Sequence, residues 1–355
     1  MRSDKFLHLY FQCVYPYAPI LNRLEFMQDY RSGKRSSFLL QCILANVAPY
    51  ASPELLLEAG FSDRLEAQKS FFGKARLLCD LGSGIGQLQV LQGSLMLSSI
   101  HFSFGLDKDY RFWLTNAVRI ATQMGLHRNG IAKDLDPGTR RLFRRIWWVL
   151  YNRDTLLAVS GLDNLRRLHD RDCDTDELTE LDWGEEEETI PEQFKDILPP
   201  ISLLHKVYLI ENCKLARISM NLLQPSTFGA CADHELGAKF TKVFKTPGRT
   251  PSDVAAQEVG EEISSWRRSL PAEMHIERVQ EWSASNVWVL VLAAMGYRLE
   301  CILYRTISDK YRGGENDTPL AQKAGPKQQN AMFELGIIID RIALYQIACF
   351  CPLSV

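Results

Sequence analysis

Apolar residues recur along much of this chain with the spacing of amphipathic helices. In residues 109–125, Trp113, Ala117 and Ala121 fall on one helical face, whereas Arg111 and Arg119 fall away from it. Similar patterns predict helices at residues 4–14, 17–30, 36–48, 53–59, 64–79, 87–104, 109–125, 139–159, 200–222, 254–269, 282–307 and 328–349. Alternating apolar and polar runs bounded by turn residues are scarce. The pattern therefore predicts an all-α, multi-helix fold with no substantial sheet.

Three segments interrupt the helical pattern. Residues 170–199 are rich in acidic side chains, and residues 224–253 and 308–327 are rich in glycine and proline. All three are predicted loops, because glycine and proline end helices and charge favours exposure to solvent. The run of glutamates at 185–188 is interpreted as a solvated loop face, since it is short and has little aromatic interleaving.

The composition sets limits on the kind of protein. With 355 residues, of which 46% are hydrophobic and 24% charged, the chain can form one large domain or two with a sizeable core. Its net charge of -2 is unlike that of a free-standing DNA-binding domain, which usually carries a basic excess. The nine cysteines lack any repeated Cys-x-x-Cys spacing, which argues against a zinc cluster within the chain and against a disulfide framework.

Neither a secretory signal nor a membrane span is expected. The N-terminus lacks an apolar stretch that ends in small residues. The longest apolar run, residues 287–297, is interrupted by Arg298, and a span needs about 20 apolar residues. This run is therefore interpreted as a buried core helix, and no membrane partner is expected.

One glycine-rich segment is an alternative pointer to an enzyme. Residues 80–86 read Asp-Leu-Gly-Ser-Gly-Ile-Gly and resemble the first motif of S-adenosylmethionine-dependent methyltransferases. In that motif a strand leads into the glycine turn, and an acidic residue about twenty positions on, here Asp107, binds the ribose. The preceding residues 65–79 have helical spacing instead, which favours a loop between two helices. The methyltransferase stays an alternative, as does a purely structural helical scaffold.

No other constellation of catalytic or metal-binding residues stands out. The seven histidines show no pairing at three or four residues, which a zinc site on a helix would need. Four aspartates alternate at positions 170, 172, 174 and 176, but the glycine and glutamate of a calcium loop are missing, so a polar turn is expected. The chain is predicted not to be an enzyme and to hold no cofactor.

Residues 111–154 carry the most specific pattern, a pair of helices. Gly125 is expected to cap the first helix, with Leu126 folding back on its last turn, and His127 to bond the last carbonyls or favour the negative end of the dipole. Four arginines open the second helix, at 140, 141, 144 and 145. Ion pairs within the chain are expected for them rather than contacts with nucleic acid, and the acidic residues close in sequence are Asp134, Asp136 and Asp154.

Two adjacent tryptophans, Trp147 and Trp148, follow the arginines on the same helix. Neighbouring residues on a helix point about 100° apart, so the two cannot face the same way. At least one of them is predicted to be a core anchor, because Leu142, Phe143 and Ile146 surround the pair in sequence.

This two-helix stretch resembles the regulatory domain of fungal-specific transcription factors, also called the middle homology region. The resemblance covers roughly residues 6–310, and Asp154 matches the family's helix aspartate. The positions that match the family's motifs are Arg119, Gly125, His127, Arg128, Arg144, Arg145, Trp147, Trp148 and Asp154. Two departures follow, because Thr155 stands where the family usually has arginine, and its Gly-Arg-Pro turn reads Gly-Leu-Asp-Asn at 161–164.

The resemblance implies a domain organisation and a function. Residues 1–310 would form the regulatory domain, with loops at 170–199 and 224–253, and residues 311–355 a loop and a C-terminal helix that packs on it. A nuclear regulator of RNA polymerase II transcription is implied, modulated by the transcription machinery, a co-regulator or a small-molecule inducer, and similar to cutinase- and xylanase-type regulators. In the family, a binuclear zinc cluster of six cysteines reads DNA. Since this chain lacks that cluster, zinc and DNA contact are expected only through an upstream cluster or a partner.

Overall fold

A computed structural model describes residues 2–82, 84–102, 107–132, 135–160, 166–169, 172–186, 190–222, 253–279, 283, 286–311, 319–345, 347–348 and 351. Every regular element within these ranges is a helix, as the apolar spacing predicts. The α-helices are α1 (Arg2–Leu9), α2 (Arg23–Ser32), α3 (Ser37–Val47), α4 (Pro53–Ala59), α5 (Arg64–Leu81), α6 (Gln87–Leu97), α7 (Tyr110–Gln123), α8 (Asn129–Ala132), α9 (Pro137–Val159), α10 (Leu203–Leu222), α11 (Asp253–Ser269), α12 (Val287–Tyr311) and α13 (Pro319–Leu344). A π-helical turn, Tyr10–Val14, continues α1.

Several predicted helices have different ends in the structure, and two of these differences have a clear local cause. The helix predicted at 17–30 begins only at Arg23, because Asn22 accepts a hydrogen bond from the Glu25 amide and caps α2 there. The helix predicted at 87–104 ends at Leu97. Ser98 and Ser99 follow, and their hydroxyls donate to carbonyls of the last turn, at Leu95 and Met96. Serine side chains compete in this way with continued backbone bonding.

The loop predicted at 308–327 is wrong for the residues that the structure describes there. Helix α12 continues to Tyr311, and α13 begins at Pro319 and includes Pro326. Proline suits the first turn of a helix, and the interior proline is tolerated because α13 packs along α12. The Lys327 ammonium, next to Pro326, donates to the Tyr304 hydroxyl of α12 at 2.9 Å.

The other two predicted loops have different outcomes. Within 170–199 the described residues form no α-helix, only the short 3₁₀ turns Glu180–Glu186 and Glu192–Phe194. The loop predicted at 224–253 lies outside the described residues, apart from Asp253, which begins α11.

The chain divides into two compact units. The first comprises Met1–Asp154, Arg167–Ile210 and Pro352–Ser354. In its core, α3 packs on α5 and α6, and α6 packs on α7. Helices α3 and α6 approach so closely at Gly93 that a Cβ atom there would lie 2.3 Å from the Phe38 ring. This unit contains all nine positions that match the family's motifs.

The second unit comprises Thr155–Arg166, Glu211–Cys351 and Val355. Helix α12 packs against α11 and α13, and Arg267 of α11 pairs with Glu300 of α12 at 3.0 Å. By length and composition α12 could cross a membrane, but 67% of its most apolar window is buried inside the protein, as expected for a core helix. The predicted organisation, with one domain over residues 1–310, stays a prediction.

Candidate functional site

The end of helix α7 forms the turn that the sequence predicts. Gly125 adopts a left-handed conformation with φ 78°. Its amide donates to the Thr122 carbonyl at 3.0 Å, and the Leu126 amide donates to the Ala121 carbonyl at 3.0 Å. This pair of bonds is the Schellman arrangement, in which glycine closes a helix and the next residue folds back. Leu126 is buried, so the turn is anchored in the core.

Both tryptophans of α9 are buried, which confirms the prediction that at least one is a core anchor. Trp147 is 3% exposed and Trp148 is 2% exposed. The indole N–H of Trp148 donates to the Asp176 carbonyl at 2.7 Å. The indole nitrogen of Trp147 has no hydrogen-bond partner among the described residues.

His127 packs against Trp147 and does not cap α7 through Nδ1. The two ring centroids are 6.0 Å apart, and Nδ1 is buried without a hydrogen-bond partner in the described part of the chain. Burial, followed by the neighbouring Arg128 charge, lowers the pKa of the imidazole. A lowered pKa favours the neutral ring. The expected attraction to the negative end of the helix dipole requires a charged ring, so it is weakened.

A segment that we call the acidic strap, residues 172–182, lies against the turn that follows α7. The Asp174 amide donates to the His127 carbonyl at 3.0 Å, and the Thr175 hydroxyl donates to the Leu126 carbonyl at 2.8 Å. Asn129 bonds Asp174 and Asp176. The strap is therefore tied to the turn by both backbone and side-chain bonds. Of the four aspartates in the polar turn expected here, Asp172 lies in a 3₁₀ turn, Asp174 and Asp176 lie in irregular chain, and Asp170 lies outside the described residues.

Two of the four arginines of α9 hold the other side of the acidic strap. Arg144 pairs with Asp182 at 2.8 Å and with Asp176 at 3.2 Å. Arg145, which is 3% exposed, donates to the Asp182 carbonyl at 2.9 Å. We use the name α7–α9 seam for this strap together with residues 124–129 and the first half of α9.

The prediction of internal ion pairing is confirmed for Arg144, but two of the predicted partners, Asp136 and Asp154, are wrong. Asp136 accepts a hydrogen bond from the Thr139 amide instead, as a cap of α9, and Asp154 pairs with Arg167. Asp134 lies outside the described residues. Coulomb attraction depends on separation in space, and the fold brings Asp182 closer to Arg144 than residues near it in sequence.

Asp154 binds the backbone of the chain at Arg167 and Leu168. Its side chain is 0% exposed and accepts hydrogen bonds from the Arg167 and Leu168 amides, at 2.9 and 3.0 Å, and from the Arg167 guanidinium at 3.2 Å. Burial raises the pKa of this carboxyl, although the hydrogen bonds oppose the rise. The same guanidinium donates to the Thr115 hydroxyl of α7 at 2.9 Å. Asp154 therefore positions Arg167 against α7.

The two remaining motif positions, Arg119 and Asp154, do not join the seam in the described structure. Arg119 is exposed on α7 and donates only along its own helix, to Asn116 at 3.0 Å and Gln123 at 3.4 Å. The altered turn at 161–164 lies outside the described residues. The buried Thr155, which stands where the family usually has arginine, is 2% exposed.

A crevice lies in the α7–α9 seam, and its roughly 330 Å³ of free space includes open solvent. Three of the motif positions line it, Gly125, Arg128 and Arg144, together with Phe143 and Thr175. The roles of all nine motif positions stay predictions, but seven of them converge on this seam: Gly125, His127, Arg128, Arg144, Arg145, Trp147 and Trp148.

Sequence reasoning missed the aspartates that complete the seam. Asp176 and Asp182 lie in a segment predicted as an acidic loop, with Asp176 also in the expected polar turn, and neither was predicted as a partner of the arginines. Nothing local distinguishes them from the other acidic residues there, because their partner Arg144 is more than thirty positions away. The sequence feature that could have indicated this pairing is the presence of four arginines in α9 and of an acidic segment further along the chain.

The glycine segment at 80–86 does not lie at the end of a strand. Residues 64–81 form helix α5, so the strand that the methyltransferase motif needs is absent there. Asp107, the candidate ribose ligand, pairs with Arg76 of α5 at 2.8 Å. Ser83 lies outside the described residues. These findings remove the sequence argument for a methyltransferase.

Metal ligands do not gather in the part of the chain that the structure describes. There, no group of three or more histidine, cysteine, aspartate or glutamate side chains is placed to hold a metal ion. The described cysteines are free thiols.

Comparison with known proteins identifies a family that this chain matches. Residues 7–268 match the family described as the fungal specific transcription factor domain. The chain is 35% identical over 344 residues to the fusaric acid cluster transcription factor FUB12 of Gibberella fujikuroi. This alignment covers 96% of this chain and 47% of that protein. It is 27% identical over 291 residues to the cutinase transcription factor 1 beta of Fusarium vanettenii, covering 76% of this chain and 32% of that protein.

A more distant relative is the acetamidase regulatory protein of Emericella nidulans, 30% identical over 177 residues, 48% of this chain and 21% of that protein. The chain spans about half the length of the first of these relatives. No solved structure matches it. Nothing in these comparisons supports the methyltransferase alternative. The chain belongs to the fungal-specific transcription factor domain family, and it carries the regulatory domain of such a factor.

Proposed function

We propose that this domain controls RNA polymerase II transcription in the fungal nucleus, and that a co-regulator or a small molecule modulates its output. The family match over residues 7–268 and the names of the relatives support the proposal. In this proposal the domain itself has no catalytic role and acts through its conformation.

The observation that carries the proposal is the convergence of the family's motif positions on one seam. Arg144, Arg145 and Trp148 of α9 all bond the acidic strap, and the turn at Gly125–Arg128 bonds its other end. A strap held by a few polar bonds can be held or released with a modest change in free energy. Binding of a partner or ligand at the seam would shift that balance and so change what the domain presents to the transcription machinery.

DNA contact, in this proposal, comes from a zinc cluster upstream or from a partner protein rather than from residues 1–355. The net charge of -2 gives little electrostatic attraction to phosphates. The bonds to the strap also engage Arg144 and Arg145, two of the four arginines in the most basic run of the chain.

A tethered reporter assay in fungal cells tests the proposal. Residues 1–355 are joined to a DNA-binding domain of known specificity, and transcription is compared with that from the DNA-binding domain alone. The proposal predicts a change in reporter output, either activation or repression. Equal output from the two proteins, both present in the nucleus at similar levels, would contradict it and favour a structural scaffold.

A further inference from the structure

The last turns of helix α13 expose several large apolar side chains. Met332 and Ile339 are each 57% exposed, and Leu344 is 75% exposed. The face of α13 that packs along α12 is a different one, which is marked by the buried Ala331 and Ile338. Apolar side chains that gather on a surface in this way mark a contact with another molecule, because their exposure to water is unfavourable.

The apolar residues at this end of α13 follow a regular spacing. Two residues separate Met332 from Leu335, three separate Leu335 from Ile339, two separate Ile339 from Ile342, and one separates Ile342 from Leu344. The first four positions recur at intervals of three or four residues, so they form one stripe along the helix. All five side chains are at least partly exposed. We call these five residues the anchors.

The anchors differ from the seam of a helical pair formed by two copies of the chain. A coiled coil needs the spacing of three and four residues over three or four heptads. Here the spacing changes at Leu344, which follows Ile342 by only two residues. The positions that would extend the stripe towards the start of α13 are Gln328 and Gly325, which are not large apolar residues. The pattern therefore favours a partner other than a second α13.

The change in spacing lies at the end of the helix. Helix α13 ends at Leu344, and Tyr345 lies in a turn. A helix presents a stripe at intervals of three and four residues, whereas extended chain presents every second residue on one side. Four anchors on the helix and a fifth at its end therefore suit an apolar groove that takes an amphipathic helix and the residue at its end.

We propose that residues 332–344 form a leucine-rich nuclear export signal, which binds the apolar groove of a nuclear export receptor. Such signals carry apolar anchors with this spacing, and the anchors enter pockets along the groove. The segment lies outside residues 7–268, which match the family. The inference goes beyond the proposed function, because it concerns how the regulator leaves the nucleus.

Three anchors are exposed in the folded chain, and two are partly covered. Leu335 and Ile342 are the covered ones, because each lies three or four residues from the buried Ile338 and so borders the face that packs on α12. Helix ends open at a lower free-energy cost than the core of a protein. An outward movement of the last turns of α13 therefore completes the contact that the three exposed anchors begin.

Binding of purified residues 1–355 to a purified export receptor of the exportin class tests the proposal. Binding is measured with and without the nuclear-transport GTPase in its GTP-bound form, because export receptors bind their cargo and this GTPase cooperatively. We expect binding to be at least about 10-fold tighter with the GTPase than without it. Unspecific apolar adhesion to the receptor would show no such difference.

Substitutions on the same helix locate the contact. The double variant Ile339→Ala with Leu344→Ala removes two exposed anchors and is expected to weaken receptor binding at least about 10-fold. Phe333→Ala is the matched control, because Phe333 is 67% exposed on the same helix but points about 100° away from Met332. It is expected to leave binding unchanged. Circular dichroism confirms that each variant is folded.

The same variants test export in fungal cells. Residues 1–355 are joined to a fluorescent protein and to a nuclear import signal, and the ratio of nuclear to cytoplasmic fluorescence is measured. We expect the double variant to raise this ratio, because the protein enters the nucleus but is no longer removed. Phe333→Ala is expected to leave the ratio as in the natural chain.

Several results would overturn the proposal. They are receptor binding that does not depend on the GTPase, equal loss of binding in the control and the double variant, or a nuclear ratio that the double variant leaves unchanged. Dimers that the double variant dissociates, measured by analytical ultracentrifugation, would assign the anchors to a second copy instead. The tethered reporter compares proteins at similar nuclear levels, so it tests the proposed function independently. Reporter control without receptor binding would remove only the export signal.

Discussion

At the residue scale, the two tryptophans of α9 show how adjacent positions differ in chemistry although both are buried. Trp148 donates its indole N–H to the Asp176 carbonyl at 2.7 Å, whereas the Trp147 nitrogen has no partner among the described residues. Burying two neighbours that point about 100° apart requires α9 to be covered over a wide face. The sequence predicts burial of at least one, but it does not show which of them bonds the strap.

This difference predicts unequal costs for two similar substitutions. Trp148→Phe loses a buried hydrogen bond and leaves a carbonyl unpaired, whereas Trp147→Phe removes an N–H that has no partner. Both lose similar apolar contact. Trp148→Phe is expected to lower the free energy of unfolding by about 0.5–1.5 kcal/mol more than Trp147→Phe. Urea unfolding of the two variants measures it, and an equal or reversed order would contradict the bonding described.

His205 predicts a pH dependence of stability. Burial, followed by the charge of Arg23, lowers the pKa of its imidazole from 6.5 to about 4. As the pH falls below 6.5 the unfolded chain takes up a proton at this position and the folded chain does not, so stability decreases with falling pH down to about 4. Unfolding midpoints of the natural chain and of His205→Gln should diverge between pH 7 and pH 4. Parallel curves would show that His205 titrates normally.

At the element scale, the acidic strap depends on one buried carboxylate. Asp182 is 1% exposed and accepts hydrogen bonds from Arg144 and from the amide and hydroxyl of Thr179. Asp176, by contrast, is 63% exposed in its pair with Arg144. A sequence cannot rank these two aspartates, because exposure is a property of the packed structure.

The two aspartates therefore make a matched pair of variants. Asp182→Asn is expected to lower the free energy of unfolding by about 1.5–3 kcal/mol, because a hydrogen bond to a charged group is lost in a buried setting. Asp176→Asn is expected to cost less than about 1 kcal/mol, because its ion pair is exposed. Limited proteolysis should cut the strap faster only in Asp182→Asn. Similar effects of both variants would show that burial does not distinguish them.

Substitution of two glycines within helices gives a second matched pair of variants. A Cβ atom at Gly93 of α6 would lie 2.3 Å from the Phe38 ring, whereas one at Gly73 of α5 would meet nothing within 4 Å. Gly93→Ala is expected to destabilise the chain by about 1–3 kcal/mol through overpacking. Gly73→Ala is expected to stabilise it by about 0.5–1 kcal/mol, because alanine loses less backbone entropy in a helix. Thermal unfolding measures both, and destabilisation by Gly73→Ala would contradict the open space.

At the scale of the whole molecule, the helical class and most helix positions follow from apolar spacing alone. Apolar spacing predicts a helix correctly because each helix buries one face, so the residues that define the pattern are close together in sequence. It fails where structure depends on distant residues. Helix α13 includes Pro326 because it packs on α12, and the strap is set by Arg144, which belongs to another element.

The candidate site was predictable in part, for the same reason. The turn at Gly125 and the burial of the tryptophans follow from local rules. The partners of Arg144 and the crevice do not, because each depends on elements that are separate in sequence.

The whole-molecule charge predicts weak DNA binding by residues 1–355 alone. With a net charge of -2, only non-specific contacts are expected, no tighter than about 10⁻⁶ M at physiological salt. Gel-shift titration with a random pool and with selected sequences measures it. Nanomolar, sequence-selective binding would show that the chain contains its own DNA reader, and residues 140–145 would be the first place to look.

The central claim is that the α7–α9 seam governs the transcriptional output of this domain. The most direct test is the tethered reporter with Arg144→Gln, which breaks the pairs with Asp176 and Asp182, compared with the matched control Arg31→Gln. Nuclear protein levels and circular dichroism confirm that both variants are present and folded. We predict that Arg144→Gln changes reporter output while Arg31→Gln leaves it as in the natural chain. Equal output from a folded Arg144→Gln protein and the natural chain would contradict the claim.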